Sequence, residues 1–163
     1  MTDMVVLAFD SEKGADQGRQ KLVELNNEYL LDLIDAVEVV RLANGKVKVK
    51  NIRNLTGAAA MGGAFFGLLF GLLFFAPVLG VTVGAVSGAI AGHFAQFGVS
   101  GDFLKQVEDS VNSGTSALAI LASNVTVDKV VQAISPLHPK IIRSSLSTEQ
   151  EAKLNEAFGS ITK

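Results

Sequence analysis

From Asn54 to Gly101 the chain carries no Asp, Glu, Lys or Arg, and His93 is the only titratable side chain in that stretch. Pro77 divides it into two arms, Gly57–Ala76 and Val78–Phe97. Each arm is about 20 residues, and at about 1.5 Å rise per residue a helix of that length spans a hydrocarbon core roughly 30 Å thick. Glycine recurs at every fourth position, as Gly63, Gly67 and Gly71 in the first arm and Gly80, Gly84, Gly88 and Gly92 in the second. At helical spacing these fall on one face, where another backbone can approach closely. A glycine costs about 1 kcal/mol relative to alanine inside a helix, so so many of them require a compensating gain. Tight helix–helix packing is such a gain, and the pattern predicts a glycine-zipper helical hairpin.

The outward residues of the first arm, Phe65, Phe66, Phe70, Phe74 and Phe75 with Leu68, Leu69, Leu72 and Leu73, are then expected to face lipid or neighbouring subunits. Two settings satisfy the pattern. The hairpin inserts in a membrane, or it is buried as a helical pair inside a soluble or partly soluble assembly. The tip, Ala76-Pro77-Val78-Leu79, has no polar residue to hold it in a far headgroup layer, which leaves open a hairpin that enters the bilayer without emerging.

The rest of the chain is that of one small α/β domain split by this insert: residues 1–53 form its first half and residues 102–163 its second. With 163 residues there is no room for two full domains beside the hairpin. Net charge is −2, and no basic patch interleaved with aromatics points to nucleic acid. The absence of cysteine excludes disulfides, thiolate metal sites and cysteine nucleophiles together. Met1-Thr2-Asp3-Met4 lacks a basic leader, so the N-terminus is expected to stay cytoplasmic. A hairpin returns the chain to the side it left. Lys46, Lys48, Lys50 and Arg53 precede the first arm, and the positive-inside rule gives the same orientation, with the domain and both termini cytoplasmic at the inner membrane.

Taken in order, Val5–Phe9 reads as a central strand buried on both faces. Asp10 or Ser11 is expected to cap the following helix, which fades near Asn26-Asn27. Tyr29–Asp35 fits either a helical end or a packed loop, with Asp32 and Asp35 expected to be solvated. Ala36–Leu42 and Lys46–Ile52 flank Asn44-Gly45, a strong hairpin signal. In the second of these strands Lys46, Lys48 and Lys50 alternate with Val47 and Val49, giving one polar and one inward face. The lysines with Arg53 are candidates for contact with anionic headgroups, against the plainer reading of a solvated strand face. After the arms, Ser100 or Asp102 caps a helix with Phe103, Leu104, Val107 and Val111 on one side. A strand Ser116–Ala122, a short helix capped by Thr126 and stopped at Pro136, a strand Lys140–Leu146 and a helix opened by the Ser147/Gln150 capping box complete the chain. The order β-α-β-β plus one α-β unit follows the split βαβ plan of ferredoxin-like domains, so the expected class is α+β, ferredoxin-like, with an inserted glycine-zipper hairpin.

Several of these segments together resemble a family of bacterial predicted membrane proteins defined only as a domain of unknown function. The segments are Val5-Val6-Leu7-Ala8-Phe9-Asp10, Asn44-Gly45-Lys46-Val47-Lys48-Val49 and Asn54-Leu55-Thr56-Gly57, then Gly62-Gly63-Ala64-Phe65, Ser116-Ala117-Leu118 and Ile142-Arg143-Ser144-Ser145-Leu146-Ser147. The architecture is also similar to bacterial general-stress proteins that carry a glycine-zipper hairpin in a small α/β domain. The resemblance implies a membrane-associated protein with no assigned activity, and it carries over no catalytic residues.

Nucleotide motifs are missing where glycine invites them. A phosphate-binding loop needs Lys-Ser or Lys-Thr after its last glycine, and the uncharged stretch holds no lysine. A dinucleotide fingerprint needs an acid about 20 residues on, and none follows within the stretch. His93 and His138 have no second ligand three or four residues away. Ser87 and Thr82, inside the second arm, suit helix hydrogen bonding better than nucleophilic attack. His93 is an interfacial residue in contact with water, or else a pH-sensitive contact. The expectation is a non-enzymatic, membrane-associated assembly protein without a cofactor, a homo-oligomer through Gly63, Gly67, Gly71, Gly80, Gly84, Gly88 and Gly92. The alternative is a membrane-anchored regulatory module whose domain binds a small ligand or a protein partner.

Overall fold

The computed structural model describes residues 2–51, 69–70, 92, 94–145 and 147–149. The protein is α+β: one five-stranded antiparallel sheet and, among the described residues, three α-helices. The strands are β1 (Thr2–Phe9), β2 (Asp32–Arg41), β3 (Val47–Asn51), β4 (Thr115–Ser123) and β5 (Lys140–Ser145), and the helices are α1 (Gly14–Asn27), α2 (Gly101–Ser110) and α3 (Val127–Ile134).

The strands lie side by side in the order β3-β2-β4-β1-β5. Strand β4 runs antiparallel to β1 from Thr2↔Ser123 to Phe9↔Ser116 and antiparallel to β2 from Asp32↔Ser123 to Arg41↔Thr115. Strands β1 and β2 are therefore parallel to each other and separated by β4. The sequence plan would put the third strand between the first two; the structure puts β3 outside β2 and β4 in the gap. The residues explain the exchange. Seven consecutive positions of β4, Ser116–Ala122, are buried, as befits a strand covered on both faces, whereas the lysines of β3 need an edge. The β2–β3 connection keeps β3 adjacent. Gly45 donates to the Leu42 carbonyl and Leu42 donates to that of Lys46, with Gly45 at φ +86°, so the loop is a three-residue one with a left-handed glycine.

Each sheet face is covered. On one, α1 and α3 pack with Leu7, Phe9, Leu33, Ala36, Leu118 and Ile120. On the other, α2 and the 3-10 turn Ala95–Phe97 pack with Met4, Val6, Val37, Ala119, Leu121 and Ile142. Ser100 caps α2, its Oγ accepting from the Phe103 N–H at 3.1 Å.

The start of α1 corrects a sequence expectation. Neither Asp10 nor Ser11 caps it; the N-cap position is Lys13, which makes no side-chain cap bond. The Ala15 N–H instead donates at 2.9 Å to Oγ of Ser116, fully buried on β4, and that hydroxyl donates at 2.6 Å to the Ser11 carbonyl. One serine of the central strand thus holds the β1–α1 loop and an otherwise orphan helix donor. Gly14 and Gly18 let the helix come this close: a Cβ on Gly14 would overlap Phe9 Cβ and stand 2.6 Å from its Cγ, and one on Gly18 would stand 2.8 Å from Phe9 Cζ.

The end of α1 resolves the ambiguous Tyr29–Asp35. Leu30 donates to the Leu25 carbonyl and Tyr29 to that of Asn26, the double bond of a Schellman motif. Tyr29 takes the left-handed position at φ 59°, and β2 starts at Asp32. A bulge between Leu33 and Asp35 then turns Asp35 inward; it is buried, not solvated as expected, while Asp32 is exposed.

Gly14→Ala is expected to destabilise the fold by about 1–3 kcal/mol, because the clash is with Phe9 Cβ, which cannot swing away. Gly18→Ala meets the far end of the same ring and, at 3.4 Å, Leu118 Cδ2, and should cost less. Ser116→Ala should cost about 1–3 kcal/mol by orphaning the Ala15 N–H. Urea unfolding midpoints of the three variants give the ranking; a Gly14→Ala chain as stable as the parent would refute the close-packing account.

Candidate functional site

Three surfaces of the domain bear on the candidate site, and two of them hold residues singled out for contact with lipid or partner. The first is β3. Its register, Glu38↔Lys50 and Val40↔Lys48, puts Lys48 and Lys50 on the α1 side of the sheet, while Val47 and Val49 pack against the cluster on the α2 side. Lys46, Lys48 and Lys50 are exposed. The predicted alternation therefore holds. The lysines, however, point away from the sheet face on which Leu69 and Phe70 are buried, so they do not form one surface with that part of the uncharged stretch. Arg53 lies outside the described residues.

The second surface joins α1 to β2. The Arg19 guanidinium bridges two carboxylates, with Nε 2.8 Å from Glu38 Oε1 and Nη2 2.6 Å from Asp16 Oδ1. Glu38 is buried, sharing its face with Leu118, and Arg19 is its ion-pair partner. The Arg19 hydrogen bond holds the Asp16 carboxyl below its usual value; burial opposes the shift, while Gln20 and Lys50 assist it. Asp16 in turn raises Arg19. A guanidinium held between a carboxylate of α1 and one of β2 is a structural clamp that ties the helix to the strand. Sequence reasoning missed it, since Arg19 and Glu38 meet only when α1 lies on β2.

The third surface is the α2 side of the sheet. Leu69 and Phe70 are helical and wholly buried, and they share one apolar cluster with Phe94, Phe97, Val37 and Met4. This corrects the expectation that Leu69 and Phe70 face lipid or a neighbouring subunit. A sheet face as apolar as Val6, Val37, Ala119 and Leu121 has to be covered, and Leu69 and Phe70 are in the cluster that covers it. Asp35 opens toward this same side, its Oδ1 accepting the Ala36 N–H at 2.9 Å.

Of the zipper glycines, Gly63, Gly67, Gly71, Gly80, Gly84 and Gly88 lie outside the described residues, as do Thr82, Ser87 and His93. Gly92 is helical and exposed, and a Cβ built there meets nothing within 4 Å. The glycines seen in close contact are Gly14 and Gly18, four apart on α1; that spacing was the available signal, though on a polar helix. His138 is exposed at φ 52° after the turn Ser135–Leu137. Among the described residues no group of three His, Asp or Glu is placed to hold a metal, and no helix is long and apolar enough to cross a membrane.

Arg19→Met would leave Glu38 buried without its cation. The expected loss is about 1–3 kcal/mol, less than for a fully buried pair because Arg19 is itself partly exposed. The folded value of Asp16 lies below its ordinary 3.8, so its contribution is present above that pH and lost as the pH falls through the folded value. The stability gap between the parent and Arg19→Met should thus be widest above pH 3.8 and narrow below it. Urea titrations at a series of pH values measure this; a gap independent of pH would remove Asp16 from the clamp.

Neither a search of curated proteins nor one of solved structures returned a match. A family model does match, over residues 60–159, which run from the first glycine arm through α2, β4, α3 and β5. On that match the chain belongs to the family described as protein of unknown function (DUF1269).

Proposed function

We propose that the protein is a non-enzymatic assembly protein of the inner membrane: a cytoplasmic ferredoxin-like domain whose inserted glycine-zipper hairpin associates with itself and with lipid. The observation that carries the assembly role is the complete burial of Leu69 and Phe70 in the cluster under the sheet. A segment that contributes core residues is a packing element of the domain, not a tether attached to it, and its glycine spacing then supplies a further contact face. The membrane location rests on the absence of charged residues from Asn54 to Gly101 and on the lysines and arginine that precede the first arm; with Leu69 and Phe70 in the domain core, the reading is of a hairpin that enters the bilayer without the whole first arm crossing it. The ferredoxin-like reading is supported by the order β2-β4-β1-β5, in which β1 and β2 flank β4 while β4 and β5 flank β1, with β3 added outside.

The same burial favours a second reading, in which the hairpin is enclosed in a soluble or partly soluble assembly. An alkaline carbonate wash separates the two. The membrane reading expects full-length protein in the pellet; a soluble oligomer in the supernatant would move the hairpin to the enclosed setting, and a soluble monomer would end both. Self-association is tested by replacing Gly84 and Gly88 with Leu. Overpacking costs about 1–3 kcal/mol per site, and each 1.4 kcal/mol is about tenfold in an equilibrium constant. Native mass analysis in detergent should show the oligomer lost in that variant and kept in a Leu68→Ile/Leu72→Ile control. An oligomer indifferent to the glycine changes would favour the ligand-binding regulatory module instead.

A further inference from the structure

Outside the glycine arms the domain carries two unlike surfaces at opposite ends of β2. At the start of β2, Tyr29 is 89 % exposed in the left-handed position that ends α1. The Thr126 N–H donates at 2.7 Å to the Leu30 carbonyl, which brings the N-terminus of α3 beside it. Val127 and Val131, one helical turn apart, are 50 % and 44 % exposed there. Tyr29, Val127, Val131 and Ile141 are the exposed large apolar side chains among the described residues, so three of the four belong to this end. Glu28, Asp32 and Asp128 are exposed around the three, with Lys129 as the one base beside them on α3. Asp32 is engaged by Asn124 at 2.7 Å; Glu28 and Asp128 make no ion pair among the described residues.

At the far end of β2, the edge strand β3 presents Lys48 and Lys50 on the α1 side, with Lys46 exposed in the turn just before it. Lys50 is within the field of Asp16, while Lys46 and Lys48 make no ion pair among the described residues. Glu12, across the tip, is occupied by the Ala43 N–H, and Asp10 is exposed nearby in the chain. Lys50 and Lys48 lie opposite Glu38 and Val40, about 20 and 26 Å along β2 from Asp32 at about 3.3 Å per residue. Both distances exceed the screening length of about 8 Å at physiological salt, so the acids and lysines of one chain do not satisfy each other.

We infer that a second copy of this chain docks head to tail, its β3 lysine edge seated on the acid-rimmed apolar patch of Tyr29, Val127 and Val131. Charge complementarity selects this occupant: an anionic lipid surface would be repelled by Glu28, Asp32 and Asp128, whereas the lysine edge meets them with opposite sign. A left-handed tyrosine where glycine is the usual residue fits a side chain kept for contact. The contact is heterologous, so it propagates into a ring or an open array rather than closing as a dimer. It concerns the domain surface and does not depend on the glycine arms.

The chain has no cysteine, so single cysteines report contacts directly. Full-length Glu28→Cys and Lys48→Cys proteins, separately and mixed, are treated with a short bifunctional thiol reagent. Head-to-tail docking predicts that the mixed product exceeds both like-with-like products by about tenfold, equivalent to ~1.4 kcal/mol. Its yield should fall as salt is raised from 0.05 to about 0.5 M, where the screening length shortens. Adding Lys46→Glu to the Lys48→Cys chain, or Asp128→Lys to the Glu28→Cys chain, should each weaken the mixed cross-link, and combining the two reversed chains should restore it. Equal yields of mixed and like products, a salt-independent yield, or failure of the reversed pair to recover would each overturn the inference. The Gly84→Leu/Gly88→Leu protein should keep the cross-link whether or not the hairpin assembles, and its loss there would overturn the inference.

Discussion

Strand β4 is confined on four sides, and the rest of the molecule is arranged by that confinement. Strands β1 and β2 take its two edges, α1 presses on one face and the cluster of α2, Leu69 and Phe70 lies over the other. A strand so placed can carry almost no polar side chain, and the one it buries, Ser116, is fully used as donor and acceptor. Because Ser116 bonds both Ser11 and Ala15, the position of α1 is set by the sheet and not by a local cap. The glycines of α1 are a consequence of the same approach, since Phe9 fills the space where their side chains would stand.

Much of this was legible in the residues. The apolar run Val5–Phe9, the alternation around Val47 and Val49, the Asn44-Gly45 turn and the cap at Ser100 all reappear where periodicity and turn chemistry put them. What was not legible depended on pairing across long sequence distance. Which strand fills the place between β1 and β2 is a choice between β3 and β4, and it is decided by burial on both faces, which no local window reports. The Arg19–Glu38 clamp, the Ser116 cap and the inward turn of Asp35 at its bulge have the same character. For the site, the lysines were found, but their orientation relative to the buried Leu69 and Phe70 required the sheet. Hydrophobicity alone marked Leu69 and Phe70 as outward because lipid and a protein core make the same demand on a side chain.

The two faces of the sheet are built to different rules. The α1 face tolerates charge at its margin, where Glu38, Arg19, Asp16 and Lys50 sit within reach of one another. The α2 face is apolar from Met4 across to Val37, with Asp35 as its buried carboxylate. Both faces need an apolar cover, but the α1 face also carries an ion-paired margin through which the sheet meets water.

The position of β4 between β1 and β2 also sets an order of events during synthesis. Strands β1 and β2 have no edge in common, so neither the sheet nor its apolar faces can close until residues 115–123 have left the ribosome. The whole uncharged stretch, residues 54–101, emerges before that. For the time needed to add β4, this stretch is available while the sheet whose core includes Leu69 and Phe70 does not yet exist. At about 5–20 residues per second, the interval from the end of the stretch to the end of β4 is on the order of seconds, long compared with the roughly 0.1–100 μs of hydrophobic collapse. The burial of Leu69 and Phe70 is therefore a late contact, made only once β4 has joined β1 to β2.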